Sequence, residues 1–460
     1  MPTPASALVF SVLCFLSIII IITASSTPNT INLPLSPLFT THPSSHPFQT
    51  LKLAVSTSIK RAHHLKNHQP NQLKTQIHPE SYGGYSIDLN FGTPPETFSF
   101  VLDTGSTLVW LPCSSHYRCS NCNSFPNTPK SFIPKNSSSS KFVACTNPKC
   151  AWVFGANVES HCCKQNSATA NCSQTCPAYS IQYGMGSTAG FLLLENLNFP
   201  GKILPDFLVG CSIVSVYQPA GIAGFGRGPD SLPSQMNLTG FSYCLLSHQF
   251  DDSSETSDLV LHTSSPGNEN TSGVSYTPFQ KNPSTKNPAF GSYYYISLMR
   301  IIVGEKRVQV PTRFLEPDVD GKGGSIVDSG STFTFMERPI FYLVAQEFSK
   351  QVNYTRAREV EQESGLSPCF VVSGTASFPE LRFEFLGGAK MRLPQTNYFS
   401  LVGKPDVACL TIVTDDVAGP GVASGPAVIL GNYQQQNLYV EYDLRNERFG
   451  FRSQNCKTRV

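Results

Sequence analysis

Two stretches decide the fold: Val101-Leu-Asp-Thr-Gly-Ser-Thr-Leu-Val-Trp110-Leu-Pro112 and its shorter counterpart Ile326-Val-Asp-Ser-Gly-Ser331. In both, an apolar strand runs into an aspartate, a glycine follows where backbone can approach closely, and a serine hydroxyl is available to the carboxylate. Each stretch is followed later by an apolar-apolar-Gly element, Ile222-Ala-Gly224 in the first half and Ile429-Leu-Gly431 in the second. The recurrence of these elements in the same order predicts two similar lobes.

The chain around these stretches has a β character. Tyr85 to Phe91 alternates apolar and polar residues, Gly92-Thr-Pro-Pro95 supplies a turn, and Thr97 to Leu102 forms the next strand. Tyr295 to Val303 is predicted as the corresponding strand of the second half. Outside the leader, convincing helical spacing is confined to Pro339–Val352. With 460 residues, 40% hydrophobic and only 14% charged, the composition favours a two-domain, all-β protein.

The paired aspartates suggest acid–base chemistry. If the lobes face each other, Asp103 and Asp328 meet, and two neighbouring carboxylates share one proton because both cannot ionise cheaply. One carboxyl then acts as base toward a bound water while the protonated one polarises a substrate carbonyl. A net charge of +2 gives no reason to expect a nucleic-acid partner. The sequence therefore predicts a hydrolytic site between the lobes.

From Tyr82 to Phe451 the chain resembles pepsin-like aspartic endopeptidases, most closely the plant, nepenthesin-like branch. Besides the aspartate stretches, Ile181-Gln-Tyr183-Gly-Met-Gly-Ser187 is similar to the flap hairpin of that family. Ile429 to Asp443 is typical of the plant branch. The resemblance implies a bilobal β fold with the active-site cleft between the lobes, and the shared-proton chemistry above is the family's known mechanism.

The same resemblance implies the site residues. Asp103 and Asp328 would be the catalytic pair, Tyr183 the flap tyrosine and Trp110 its hydrogen-bond partner. The residues that would hold the dyad and contact substrate are Gly105, Ser106, Gly330 and Ser331. The implied protein is a monomeric endopeptidase that cleaves proteins or peptides at acidic pH and needs no cofactor or metal. The alternative is a catalytically silent binding protein on this fold, such as a xylanase-inhibitor-like protein, although both aspartates and their glycines are retained.

The N-terminal part predicts processing. Residues 1–26 are interpreted as a signal peptide, with a signal anchor as the alternative, and no stable membrane span is expected after its removal. Residues 27–80 are interpreted as a propeptide, with helical spacing from Leu51 to Leu65. Residues 1–80 carry five Lys or Arg and one acid, so this leader is a candidate partner for an anionic cleft. A solvated basic linker is the alternative, and the pair His63-His64 is interpreted as solvated surface.

The lobes are assigned to residues 81–285, with the Cys-rich insertion and the flap, and 286–460. Fourteen cysteines follow the signal, and ten of them lie between Cys113 and Cys211. Such density favours disulfides over zinc, for which Cys119-Ser-Asn-Cys122 has the spacing. We expect Cys369 to pair with Cys409, Cys244 with Cys456, and the other ten to form five local bridges.

The location predicted from these features is secreted, in the extracellular space or cell wall, with the vacuole as the alternative. Sequons for N-glycosylation, which accompany secretion, occur at five positions: Asn136, Asn171, Asn237, Asn270 and Asn353.

Overall fold

A computed structural model provides the structure of the protein. It describes residues 30–38, 47–66, 83–122, 130–155, 158, 162, 174–184, 186–218, 220–247, 256–263, 272–284, 287–374, 376–402, 404–415 and 425–457. The predicted signal peptide, residues 1–26, lies outside the described residues, as do Asn171 and Asn270. Within the described ranges, no helix combines the length and hydropathy that a membrane crossing requires.

Strands dominate, and fifteen of those described form one large sheet. These strands are β1 (Thr30–Leu38), β2 (Gly84–Phe91), β3 (Glu96–Asp103), β4 (Trp110–Pro112), β5 (Arg118–Ser120), β6 (Lys141–Phe142), β7 (Tyr179–Gln182), β8 (Ser187–Phe199), β9 (Lys202–Val216), β10 (Gly221–Gly224), β11 (Gly240–Cys244), β12 (Ser257–His262), β13 (Ser275–Pro278), β27 (Leu438–Asp443) and β28 (Arg448–Ser453). The predicted all-β, bilobal class is confirmed.

Three smaller sheets build the rest of the second half. Their strands are β14 (Tyr294–Ile296), β15 (Leu298–Val303), β16 (Lys306–Arg307), β17 (Ser325–Val327), β18 (Thr334–Met336), β19 (Thr355–Arg356), β20 (Cys369–Val371), β21 (Leu381–Phe385), β22 (Lys390–Arg392), β23 (Phe399–Val402), β24 (Lys404–Leu410), β25 (Ile412–Val413) and β26 (Val428–Leu430). The single strand predicted over Tyr295–Val303 is wrong. The chain changes sheets at Ser297, since β14 pairs with β17 whereas β15 pairs with β21.

Helices are few. The α-helices are α1 (Pro47–Lys66), α2 (Pro148–Phe154), α3 (Leu232–Gln235), α4 (Arg338–Gln351) and α5 (Arg358–Ser364). Short 3-10 turns occupy Pro134–Asn136, Pro288–Gly291, Thr312–Phe314, Leu386–Gly388, Gln395–Asn397 and Asn432–Gln435. The two helices predicted from apolar spacing are confirmed as α1 and α4. In α4 the buried residues are Ile340, Phe341, Val344 and Phe348, which are the four that share a face in the sequence.

The internal repeat positions the two aspartates. In the first half β10 lies parallel to β3, with Gly224 opposite Asp103. In the second half β26 lies parallel to β17, and the Asp328 amide donates to the Leu430 carbonyl at 3.0 Å. Each aspartate therefore leaves the end of a buried strand beside the apolar-apolar-Gly element predicted to accompany it.

Residues from the predicted propeptide belong to the large sheet. Strand β1 lies between β12 and β2, with Leu33 opposite Leu259 and Leu35 opposite Ile87. Leu35 is fully buried, because the strand alternates core-facing and solvent-facing residues. From the other end of the chain, β27 and β28 join the same sheet through β11. The lobe boundaries stay a prediction, and the sheet continues across them.

Disulfides cross-link both halves. The expected bridges Cys369–Cys409 and Cys244–Cys456 are formed. Eight of the ten cysteines from Cys113 to Cys211 pair with one another, in three local bridges, Cys119–Cys122, Cys145–Cys162 and Cys150–Cys176, and one long-range bridge, Cys113–Cys211. Cys163 and Cys172 lie outside the described residues. The pair considered for zinc, Cys119 and Cys122, is thus a disulfide.

Among the sequons, Asn136, Asn237 and Asn353 are exposed.

Candidate active site

The two aspartates have matching hydrogen-bond environments. Asp103 accepts from the Ser106 hydroxyl at 2.5 Å and from the Gly105 amide at 2.9 Å. Asp328 accepts from the Ser331 hydroxyl at 2.6 Å and from the Gly330 amide at 2.9 Å. The predicted site residues of the two halves are thus brought to one place by the same local turn, which aims both carboxylates into the space between the lobes.

Two hydroxyls that the sequence analysis did not select lock the turns together. The Thr104 amide donates to the Ser329 hydroxyl at 3.1 Å, and the Ser329 amide donates to the Thr104 hydroxyl at 2.9 Å. Both side chains are buried, and each hydroxyl also donates to a carbonyl of the opposite half. The signal in the sequence was a hydroxyl residue at the second position of both turns. The reciprocal pair joins the two aspartate turns directly.

Each aspartate turn needs a glycine because the carboxylate of the other half leaves no room for a side chain there. A Cβ atom at Gly105 would lie 2.6 Å from Asp328 Oδ1, and one at Gly330 would be closer still to Asp103 Oδ1. Any larger residue would therefore push the two halves apart. The same geometry places each carboxylate directly beside the other half's turn.

A cation from the leader bridges the dyad. Arg61 of α1 donates from Nη2 to Asp103 Oδ1 at 2.6 Å and from Nε to Asp328 Oδ2 at 3.1 Å. The Arg61 side chain is only 9% exposed, so both charge-assisted bonds are shielded from water. The sequence analysis counted Arg61 among the basic residues of the leader but assigned it no individual contact. Its guanidinium occupies the position where a reacting group would meet both carboxylates.

Burial and Arg61 act in opposite directions on the two carboxyls. Burial raises the pKa of Asp103 above its usual range, and the neighbouring Asp328 carboxylate adds to that rise against the attraction of Arg61. Burial also acts to raise the pKa of Asp328, but Arg61 and the hydrogen bonds it receives lower it on balance. Because their pKa values move apart, the pair can hold one proton over a range of pH.

The flap residues contact both the first-half core and α1. The Trp110 indole donates to the Tyr183 hydroxyl at 2.8 Å, which is the partner expected from the resemblance. The Tyr183 amide donates to the Gly186 carbonyl at 2.6 Å across the turn between β7 and β8. A Cβ atom at Gly184 would collide with the backbone of Lys60 and Arg61. Helix α1 therefore runs between the flap and the dyad.

Further contacts hold α1 against the second half. Its apolar stripe, which includes Leu51, Val55 and Leu65, packs into a buried cluster with Tyr293 and Phe335. His63 Nε2 lies 2.9 Å from Asp415 Oδ2, and Lys66 Nζ lies 2.5 Å from Glu337 Oε1. The ring of His64 lies 6.4 Å from that of Tyr183. The interpretation of His63-His64 as solvated surface is wrong, since tertiary contacts of α1 place both rings against the body.

One buried carboxyl beside the first aspartate turn was missed by the sequence analysis. The Thr107 hydroxyl donates to Asp230 Oδ2 at 2.9 Å, and Asp230 is only 5% exposed. Burial raises the pKa of Asp230 from 3.8 to about 6, against the hydrogen bonds from Thr107 and from its own amide. Asp230 thus places a buried titratable carboxyl in contact with the loop that follows Asp103.

We expect Asp230→Asn to remove part of the pH dependence of stability. A carboxyl whose pKa is raised in the folded state stabilises the protein below its unfolded pKa, and this contribution is lost as the pH rises through about 6. The loss amounts to about 3 kcal/mol. Urea unfolding at a series of pH values should show a smaller decline between pH ~4 and ~6 in Asp230→Asn than in wild type. The exposed control Asp258→Asn should follow wild type, and an unchanged decline in Asp230→Asn would contradict the assignment.

One cluster of cysteine sulfurs has the spacing of a metal site, but its members form disulfides. Among the described residues, the sulfurs of Cys145, Cys150 and Cys162 lie within 4.8 Å of one another. Each of the three belongs to a disulfide, so none offers the thiolate that a metal requires.

The facing Asp-Thr-Gly-Ser and Asp-Ser-Gly-Ser turns on a bilobal β fold define the class of pepsin-like aspartic proteases. Sequence profiles of the xylanase inhibitor N-terminal and C-terminal families match residues 85–261 and 293–453. A probable aspartyl protease of Arabidopsis thaliana is 33% identical over 412 residues, which cover 81% of this chain and 82% of the relative. Aspartic proteinase nepenthesin-1 of Nepenthes gracilis is 32% identical over 420 residues, covering 89% and 86%. The chain belongs to the nepenthesin-like plant branch of this family.

Solved structures agree on the fold. The structure of edgp superposes with a TM-score of 0.63 at 19% identity, covering 93% of this chain and 95% of that one. Basic 7S globulin from soybean superposes with a TM-score of 0.60 at 16% identity, covering 94% and 100%. At these identities the similarity defines the architecture alone.

Proposed function

We propose that this protein is a secreted aspartic endopeptidase that is synthesised as a zymogen and hydrolyses peptide bonds at acidic pH. The observation that carries the proposal is the matched environment of Asp103 and Asp328. Each carboxylate accepts from a serine hydroxyl and a glycine amide of its own turn, and the two turns are locked by Thr104 and Ser329. Relatives named as aspartic proteases, at 32–33% identity over most of the chain, support this chemistry.

In the proposed reaction the dyad holds one proton. The ionised carboxyl accepts a proton from a water molecule, which attacks the peptide carbonyl, while the protonated carboxyl donates a hydrogen bond to the carbonyl oxygen. Tyr183 closes over the extended substrate and reduces access of bulk water. Neither step requires a cofactor or a metal. The substrates are proteins or peptides, and the active form is a monomer.

Helix α1 supports the zymogen part of the proposal. It lies between the flap and the dyad, and Arg61 forms an ion pair with each of the two carboxylates. Acid protonates the carboxylates of the dyad and thereby weakens the contacts of Arg61 with them. Cleavage after residue 66 would then let α1 leave the cleft. The proposed destination, extracellular space or cell wall with the vacuole as the alternative, agrees with the disulfides and the exposed sequons.

The alternative function is a binding protein on the same fold. The xylanase inhibitor profiles match both halves of the chain, and basic 7S globulin shares the architecture. The similarity to basic 7S globulin concerns the fold alone, and the profile matches define a family without defining an activity, whereas both aspartates and both glycines of the turns are present here. We therefore rank the endopeptidase first.

The test is cleavage of an unfolded protein by acid-treated enzyme. The purified full-length chain is held at about pH 4, near the pKa of free carboxyls, and incubated with reduced, alkylated casein. We expect cleavage with a bell-shaped pH profile on the acid side of neutrality, abolished by a statine-type transition-state analogue. No cleavage, or cleavage unaffected by the analogue, would favour the binding protein.

A further inference from the structure

We propose that Glu337 and Phe335 form a subsite that selects a Lys or Arg side chain of the substrate. The inference rests on the proposed endopeptidase function and adds a substrate preference to it. Its basis is the ion that the site already holds in the full-length chain: the ammonium group of Lys66 from α1.

The ammonium is bound by two complementary groups. Lys66 Nζ lies 2.5 Å from Glu337 Oε1 and 5.2 Å from the centre of the Phe335 ring. A carboxylate combined with an aromatic face is a recurring arrangement for recognition of cations. The Lys66 side chain is 2% exposed and that of Glu337 is 14% exposed, so the contact is formed in a largely desolvated pocket. Both receiving residues come from the body and not from the leader.

The pocket lies on the route that a substrate follows. Arg61 touches the dyad, and the backbone of Lys60 and Arg61 abuts Gly184 of the flap. Lys66 is five residues further along the same helix, a displacement of about 7.5 Å at the α-helical rise. An extended peptide covers that distance in about two to three residues. A basic substrate residue two or three positions from the scissile bond would therefore reach Glu337.

A second carboxylate strengthens the preference. Strands β18 and β25 are parallel, with Phe335 opposite Val413. Glu337 comes two residues after Phe335, and Asp415 comes two residues after Val413. Because the two strands are parallel, both carboxylates lie just beyond the C-terminal ends of neighbouring strands. Asp415 contacts His63, another basic residue of α1. Departure of α1 leaves both carboxylates on the cleft wall, where a cationic side chain is the complementary occupant.

The experiment compares matched peptides. Acid-processed enzyme is assayed at about pH 5, where free carboxylates are largely ionised, on peptides that carry Lys or norleucine at each position on either side of the bond. We expect kcat/KM to be about tenfold higher for Lys at one position two or three residues from the bond, as for a partly buried charge-assisted contact. In Glu337→Gln this ratio should fall to about one. The control Glu347→Gln, at a half-buried position of α4 whose carboxylate accepts from the Gln351 side chain, should retain the wild-type ratio.

The outcomes separate the two proposals. Equal kcat/KM for Lys and norleucine peptides at every position in an active wild-type enzyme would overturn the subsite and leave the endopeptidase standing. A Lys preference that persists in Glu337→Gln would overturn its assignment to Glu337. If Glu337→Gln fails to fold, the test uses the wild-type enzyme alone. Its ratio of kcat/KM for the Lys peptide to that for the norleucine peptide should then decline at high salt, because salt screens an ionic contact. Absence of any cleavage would overturn the endopeptidase and the subsite with it.

Discussion

Replacing either member of the dyad, by Asp103→Asn or Asp328→Asn, is expected to abolish proteolysis. An amide keeps the size of the side chain: its oxygen can still accept from the glycine amide of its turn, and its NH2 group can donate to the serine hydroxyl, which then no longer donates to it. It can neither take a proton from water nor supply one to the carbonyl. Loss of positioned acid–base catalysis costs about 10²–10⁴ in rate. Because the two carboxyls act as a unit, each single variant should lose nearly as much as the double variant.

The measurement is casein cleavage at about pH 4, supported by the appearance of self-processed chain on gels. Both variants should stay at full length, since self-processing uses the same site. The exposed substitution Asp258→Asn provides the matched control and should be as active as wild type. An Asn variant with wild-type turnover would contradict the aspartic-protease mechanism. Processing that continues in both variants while casein cleavage is lost would show that another protease removes the leader.

The second large effect is expected from Arg61→Met, which should release the leader without acid. Methionine keeps much of the buried aliphatic length but removes the guanidinium that bridges Asp103 and Asp328. Breaking a buried ion pair by removing one partner costs about 3–5 kcal/mol, because the remaining charges are left uncompensated. This cost destabilises the closed state, in which α1 fills the cleft, and should raise the population of displaced α1 by about 10²–10⁴-fold.

The sign of the pH dependence follows from Asp328. Arg61 lowers the pKa of Asp328 against the effect of burial, so the contact stabilises the closed state above that pKa and is lost as the pH falls through it. Wild-type chain should therefore stay intact near pH ~6 and process itself in acid, whereas Arg61→Met should process itself at both. Lys52→Met, on the exposed side of α1, is the control and should behave as wild type. Equal stability of Arg61→Met and wild-type chains at pH ~6 would contradict the inhibitory role of Arg61.

The two Asp-x-Gly-Ser turns could be predicted because their information is local. A strand, an aspartate, a glycine and a serine occupy consecutive positions, and Gly105 and Ser106 contact Asp103 within three residues of it. The repetition of that pattern predicted the lobes. The prediction of a single strand over Tyr295–Val303 was wrong because sheet membership, unlike extended backbone, depends on distant parts of the chain. Apolar alternation predicts extended backbone, but it does not say that Ser297 passes from one sheet to another.

By itself, then, the sequence determined the fold class, the pairing of Asp103 with Asp328 and the basic character of the leader, since each is written in short runs or in composition, whereas the flap tyrosine was implied by the resemblance to the family. Only the tertiary structure decided which basic residue meets the dyad and which carboxylate meets Lys66. Arg61 reaches Asp328 across 267 positions and Lys66 reaches Glu337 across 271. The periodicity of apolar residues in the sequence does not predict such partners, because they depend on how the apolar stripe of α1 packs against the second half. That packing turns a generally basic leader into one that places a guanidinium against both carboxylates of the dyad.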